Sequence, residues 1–396
     1  METAALPRHA RLAADIAAMA PDLADDRLAE RDRLGLFSRD LWGVLCHRGL
    51  HMLPAAKAFG GQSLGAADMA TVLEALGEHC EDTGLVFALA AHLCTCVHLL
   101  ATYGNEAQQR HWLPRIAHGG LIGAHAITEE QAGSDIGAMR TVATRDGDGY
   151  RIDGSKRYIT NAPVCDFIVV HARTGNSGSF FDFSSFILER ETPGLHISPQ
   201  AHDKLGLRTT AMGDIRLDGV HVSESQRIGA EGSGGPIFQA SMAWERTCLF
   251  AMYLGIMRRQ LHLSCRHAEQ RVQFERPLIE HQAIAHRLAD MKLRLEAARL
   301  ATAHAAWSLD HPPADPGASA IAKLLVSEAC VRNGLDAVHI HGACGVLSGE
   351  IERQLRNAIP STLFSGASEV LKNQLVRQLR AECRRTTRTA GSRGVD

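Results

Sequence analysis

The stretch from Gly123 to Asn161, GAHAITEEQAGSDIGAMRTVATRDGDGYRIDGSKRYITN, constrains the rest of the chain most strongly. Alternating residues in TVATR, a turn at Asp146-Gly147-Asp148-Gly149 and renewed alternation in YRIDG read as a β-hairpin. Two small polar clusters, ITEEQAGSD and KRYITN, flank it and read as loops. Loops of this composition expose backbone N–H groups and hydroxyls. They suit an anionic or heteroaromatic ligand laid across a sheet edge. An ordinary hairpin with polar turns satisfies the same pattern.

Helical patterns lie on both sides of this β-segment. In residues 1 to about 120, APDLADDRLAERDRLGLFSRDLWGVLCHRG sets charges on one side against Leu, Phe and Trp on the other. Gly84 to Tyr103 is apolar enough to suggest a membrane span. His92 and His98 sit inside it, Thr95 interrupts it, and no Lys/Arg asymmetry flanks it, so a buried central helix is expected and no span. From 123 to about 230, DFIVVHART, SFILER and DIRLDGVHV continue the β-pattern. AEGSGGP, Ala230 to Pro236, reads as a Gly-rich hinge without dinucleotide-fingerprint spacing. Long helices follow to about Arg380, interrupted at HPPADPGAS.

The expected division is a helical domain at 1–122, a β domain at 123–231, a helical domain at 232–380 and a disordered tail at 381–396. That tail is rich in Arg and poor in apolar residues. A chain of 396 residues has room for two or three such domains. A net charge of -2 gives no basic field, which argues against a nucleic-acid partner. Cys94 and Cys96 lack a second pair to complete a zinc pattern, and His339, His341 and Cys344 lack a further ligand, so no metal is expected. Ten scattered cysteines and no recognisable signal sequence lead to an expected cytoplasmic location.

ITEEQAGSD followed by GSKRYITN resembles the paired motifs TE-x-x-AGSD and G-x-K-x-(W/Y)-I-T-N of the acyl-CoA dehydrogenase family, and the resemblance continues along nearly the whole chain. It implies an α+β fold of acyl-CoA dehydrogenase type: a helical N-terminal domain, a middle β-barrel-like domain and a C-terminal four-helix bundle. It also implies FAD, and it implies roles for matched residues. Thr128 and Thr160 correspond to hydroxyls at the flavin ring, Ser134 to a phosphate contact and Tyr158 to the aromatic packed on the ring. RVQFERPLIEHQ resembles the segment that reaches the FAD of a neighbouring subunit through Arg271, Phe274 and Gln282. Glu275 replaces the family's Gly there, a strained choice if the backbone is left-handed. VHIHGACG stands where the family has VQ-x-x-GG-x-G. Gly342 is kept, while His339 replaces Gln and Ala343 replaces Gly, which implies weaker FAD binding. Glu369 of FSGASEV corresponds to a ribose contact.

The catalytic base is the main departure. Many members carry a Glu where this chain has Ser365, and a hydroxyl without an activating partner is no base near neutral pH. Other branches place the base on an earlier helix in L-x-x-E-R. MAWERTCLF puts Glu245 in that position, which makes it the expected base.

The implied reaction removes the α-proton of an acyl thioester while the β-hydride passes to the flavin. WER, HRLADMKLRLEAARL and the FSGASE motif look like the homologues of polyketide and nonribosomal peptide pathways, whose acyl groups ride on acyl or peptidyl carrier proteins. Expected partners are therefore a thioester on CoA or a carrier protein, and a second copy of the chain in a homodimer or homotetramer. The electron acceptor stays open. A flavin monooxygenase or oxidase on the same scaffold, and a binding homologue that has lost catalysis, are the competing readings.

Overall fold

The computed structural model describes residues 8–391. Seven helices come first: α1 (Arg8–Met19), α2 (Leu28–Leu34), α3 (Arg39–His47), α4 (Ala66–His79), α5 (Thr83–His92), α6 (His98–Tyr103) and α7 (Glu106–Gly119). A π-helical segment, Leu93–Val97, joins α5 to α6, so Thr83–Tyr103 is one continuous helix. It is the apolar run noted above. Its residues are buried over most of its length, which places it in the protein core.

Eight strands follow: β1 (Gly123–Ala126), β2 (Val142–Asp146), β3 (Gly149–Thr160), β4 (Phe167–Arg173), β5 (Phe183–Glu189), β6 (Leu195–Ile197), β7 (Met212–Ser223) and β8 (Arg227–Ile228). They form one sheet in the order β6-β7-β3-β2-β4-β5-β8, with β1 paired in parallel to β4. Strand β4 shows why its sequence is apolar throughout. Ile168 and Val170 join the core on one face of the sheet, while Phe167 and Val169 join Cys96, Leu100 and Trp112 on the other.

KRYIT, expected as a loop, is the end of strand β3. The reason is a register shift against β7 between Lys156 and Ile159, with Tyr158 at φ 62°. The bulge leaves Tyr158 exposed while Lys156 and Ile159 on either side of it face the interior. The helix that follows the sheet begins at Gly234, inside the Gly-rich run expected as a hinge.

The C-terminal helices are α8 (Gly234–Trp244), α9 (Phe250–Gln270), α10 (Gln282–Asp310), α11 (Pro316–His341), α12 (Glu350–Ala358) and α13 (Ser368–Gly391). A second π-segment, Glu245–Leu249, joins α8 to α9. A short hairpin, β9 (Val272–Gln273) with β10 (Arg276–Pro277), separates α9 from α10. The expectation of a disordered tail fails over 381–391, where α13 continues; 392–396 lie outside the described residues. Apolar positions Leu371 and Leu375 pack the start of α13 against α11 and give the polar end a helix to extend.

One core unites the two helical regions. Helices α4 and α9 cross so closely that a Cβ on Gly77 would lie 1.9 Å from the Met252 carbonyl oxygen, and one on Gly255 would lie 1.9 Å from that of Glu74. Only glycine fits at either point. This crossing holds the helix carrying Glu245 against the N-terminal domain.

Candidate active site

The polar clusters are held in shape by a buried ion pair that the sequence reading left unassigned. Glu129 accepts from Lys156 Nζ at 2.9 Å, from the Arg140 and Thr141 amides at 2.7 and 2.9 Å, and from the Thr141 hydroxyl at 2.5 Å. Lys156 also donates to the Ile127 carbonyl at 3.1 Å. Side-chain exposure of the pair is 0% for Lys156 and 2% for Glu129. Burial alone would raise the Glu129 carboxyl, but Lys156, the Thr141 hydroxyl and the Arg140 amide together hold it down at about 2. Both residues lie in the quoted motifs. A buried Lys facing a Glu across two motifs was the available signal.

With that loop pinned, the Arg157 amide donates to the Thr128 carbonyl at 2.9 Å and lays ITEE beside the end of β3. Thr128, Ser134 and Thr160 all keep accessible surface. Tyr158 is 50% exposed, with its amide on Asp214 Oδ1 at 3.1 Å. Among the described residues, the hydroxyls of Thr128, Ser134 and Thr160 have no protein partner. Unpartnered donors on a fixed edge beside an accessible aromatic fit the FAD implied by the sequence motifs.

Glu245 opens the second π-segment. The extra residue of a π-turn shifts the facing of the helix at this point, as is common at functional sites. Burial raises the Glu245 carboxyl above its ordinary value, opposed by a hydrogen bond from Ser365 and by the charge of Arg246. Ser365 Oγ donates to Glu245 Oε1. Arg246 Nε donates to the Ser365 carbonyl at 2.8 Å. The two positions between which the base was weighed are therefore in direct contact.

Helix α5 connects this pair to the sheet edge. Asn161, next to Thr160, donates to the carbonyls of Ala88 at 3.0 Å and Gly123 at 3.2 Å. Phe87 of the same helix packs on Phe364, next to Ser365, with ring centroids 4.9 Å apart. His98, further along the continuous helix, stacks on Trp244 at 3.7 Å. Glu369 is exposed in the first turn of α13, four residues beyond Ser365.

The remaining candidates lie elsewhere. Arg271 caps α9, and Phe274 sits at the hairpin tip, 88% exposed. Phe274 and Glu275 have φ of 52° and 66°, so the strain expected from the missing Gly is present. Gln282 begins α10, while His339 and Gly342 mark the end of α11. A His267–His341 stack, 4.4 Å between centroids, draws the ends of α9 and α11 together, so these five residues share one end of the bundle. Arg271 is 26 residues along a continuous helix from Glu245. At 1.5 Å per residue that is roughly 40 Å. One chain therefore presents two separated sets of candidate residues.

The chain matches the family models for the acyl-CoA dehydrogenase N-terminal domain over 7–120, middle domain over 124–220 and C-terminal domain over 232–380. It is 42% identical over 324 residues to an L-prolyl-[peptidyl-carrier protein] dehydrogenase of Pseudomonas fluorescens, covering 81% of this chain and 84% of that protein. The structure of the prolyl acyl carrier protein oxidase AnaB superposes with a TM-score of 0.92 at 37% identity, covering 95% of this chain and 100% of that one. An FAD complex of PigA superposes with a TM-score of 0.90 at 36% identity, covering 96% and 99%. With all three domain models matched in order and a fold shared over almost its full length, the chain belongs to the acyl-CoA dehydrogenase family of FAD-dependent oxidoreductases.

Proposed function

We propose that this enzyme oxidises an L-prolyl group held as a thioester on a peptidyl carrier protein, with Glu245 as the base that takes the α-proton. The observation carrying the chemistry is Glu245 itself: a carboxylate raised by burial, with some exposed surface, at the start of a π-turn and facing the loop where many relatives place their base. The prolyl group and its carrier are those on which the relatives above act. FAD, when bound, supplies the two-electron acceptor for the β-hydride. Thr128, Thr160 and Tyr158 would orient its ring end, Ser134 would meet its phosphates, and Glu369 would serve its ribose. Glu245 removes the proton from Cα and retains it on its carboxyl. Among the described residues no cysteine pair is bridged, which fits a reducing cytoplasm.

The test is anaerobic mixing with prolyl-loaded carrier protein and, separately, with prolyl-CoA. Faster flavin bleaching by the carrier-bound group is expected. Equal or faster bleaching by the CoA ester removes the carrier preference and leaves the dehydrogenase reading in place. Since one of the structural relatives is described as an oxidase, oxygen as the acceptor is a second reading. Rapid reoxidation of the bleached enzyme by air favours it, and slow reoxidation favours a separate electron-transfer partner.

The roughly 40 Å between Glu245 and Arg271 supports a homodimer or homotetramer as part of this reading. Arg271, Phe274, Gln282, His339 and Gly342 are exposed at the end of the bundle remote from Glu245, as groups completing a neighbour's FAD site should be. Leu293, Leu300 and Trp307, 68%, 72% and 57% exposed at seven-residue spacing on α10, form an apolar stripe fit for helix contact with a second copy. Arg271→Ala is expected to lower FAD content through loss of a charge-assisted phosphate contact, although it is remote from Glu245. A monomer at low concentration with about one FAD per chain would contradict this assembly.

A further inference from the structure

Ser365 is conspicuous in two ways. It is a non-glycine residue in the left-handed region, φ 56°, followed by Gly366 at φ 96°. It is also gripped twice by adjacent residues of the π-segment: Glu245 accepts its hydroxyl proton, and Arg246 donates to its carbonyl. Arg246 is itself buried, and its guanidinium lies 3.3 Å from where a Cβ on Gly366 would be. Backbone strain in a loop persists only where its surroundings impose it. Here the Arg246 clamp and the Phe364 ring, packed against Phe87 and Phe250, impose it. Glu245 has two carboxylate oxygens. Oε1 is engaged by Ser365; among the described residues Oε2 has no hydrogen-bond partner, and the residue retains exposed surface.

We propose that Ser365 is a positioning residue, whose hydroxyl fixes Oε1 of Glu245 and so presents Oε2 to the α-proton. This rests on the reading of Glu245 as base. The proton moves from the substrate Cα to Oε2, and the Ser365 proton stays on its own oxygen. The position at which many relatives carry a base thus acts here through the base on the other helix.

The charged and titratable groups facing Glu245 are few. Arg246 adjoins it in the π-segment, Cys94 and Cys96 face it from the other π-segment, and Lys323 of α11 faces Arg246. Burial keeps both thiols protonated. The Ser365 hydroxyl stabilises the carboxylate form, so its removal raises the carboxyl further.

Ser365→Gly and Ser365→Ala test this in the FAD-loaded enzyme. Gly deletes only the hydroxymethyl group and relieves the left-handed backbone, which guards against misfolding. Both are expected to retain FAD and to move the acid limb of flavin reduction upward by about one to two pH units, the worth of one hydrogen bond to a charged group. The carboxylic-acid infrared band that is absent in Glu245→Gln should titrate upward by the same amount without substrate. A limb and a band unmoved in both variants overturn the proposal. Flavin reduction by Glu245→Gln near the wild-type rate removes the base reading instead, and is a separate result.

Discussion

Replacing Glu245 by Gln is expected to slow substrate-dependent flavin reduction on the order of 10²–10⁴-fold, the usual contribution of a general base. FAD content should not change. Gln is nearly isosteric, its carbonyl can still accept from Ser365, and the residues expected to hold FAD lie on the sheet edge and the distant bundle end. The pH profile should change in a defined direction. Only the carboxylate accepts a proton, so reduction by the wild-type enzyme falls as pH drops through the Glu245 pKa. Burial raises that value, which puts the acid limb above the ordinary carboxylate range. The Gln variant should lack this limb. Stability gives the opposite sign to most carboxylates. The unfolded chain releases this proton at lower pH than the folded one, so ionisation of Glu245 costs stability as pH rises above the ordinary value. Glu245→Gln should therefore be neutral or slightly stabilising at neutral pH. Reduction near the wild-type rate in this variant assigns the base elsewhere. Ser365→Glu in the presence of Glu245, which the family pattern suggests as a second base, is not expected to raise activity. The Ser365 side chain is already on Glu245, and a carboxylate there would face another with only Arg246 between helix and loop.

Lys156→Met should be the most destabilising single change at the cofactor edge. It leaves the Glu129 carboxylate buried without its cation, a situation that costs about 3–5 kcal/mol. The effect should appear first in the cofactor. Glu129 holds the loop of residues 127–141 through donors from Gln131, Arg140 and Thr141 and, on β3, Lys156, so its displacement frees the backbone that carries Thr128 and Ser134. Expected results are a lower melting temperature and a larger FAD-free fraction after gel filtration. Adding Glu129→Gln to this variant should recover part of the loss by removing the buried charge. Acidification provides an independent check. The folded Glu129 value is about 2, below its unfolded one, so its contribution is present above the ordinary carboxylate range and is lost as pH falls toward 2. Lys156→Met should flatten that dependence. A variant that melts with the wild type and keeps its FAD would show the pair to be dispensable.

Local pattern was enough to read much of the fold. The FIVVHAR run is apolar throughout because β4 is buried on both faces, and Thr83–Tyr103 is apolar all round because it lies between helices and sheet. The tail misled because composition reports side chains alone. Its backbone continues a helix that Leu371 and Leu375 have already started and packed. KRYIT misled because a bulge allows strand pairing without the alternation by which strands are recognised.

Sequence alone determined the order of helical, β and helical regions, the absence of a carboxylate at position 365 and the presence of one at 245. These follow from residue type and from periodicities of two and 3.6 residues, which any stretch carries within itself. The tertiary structure alone decided that Ser365 and Glu245 touch, that Lys156 and Glu129 neutralise each other in the interior, and that Arg271 stands about 40 Å from Glu245 of its own chain. Contacts between residues 120 positions apart depend on how closely helices and strands approach. Here that approach was set by two glycines crossing between α4 and α9 and by Asn161 bridging the sheet to α5. Neither spacing nor propensity encodes such approaches, because they arise from the shape of surfaces that exist only once the core has packed.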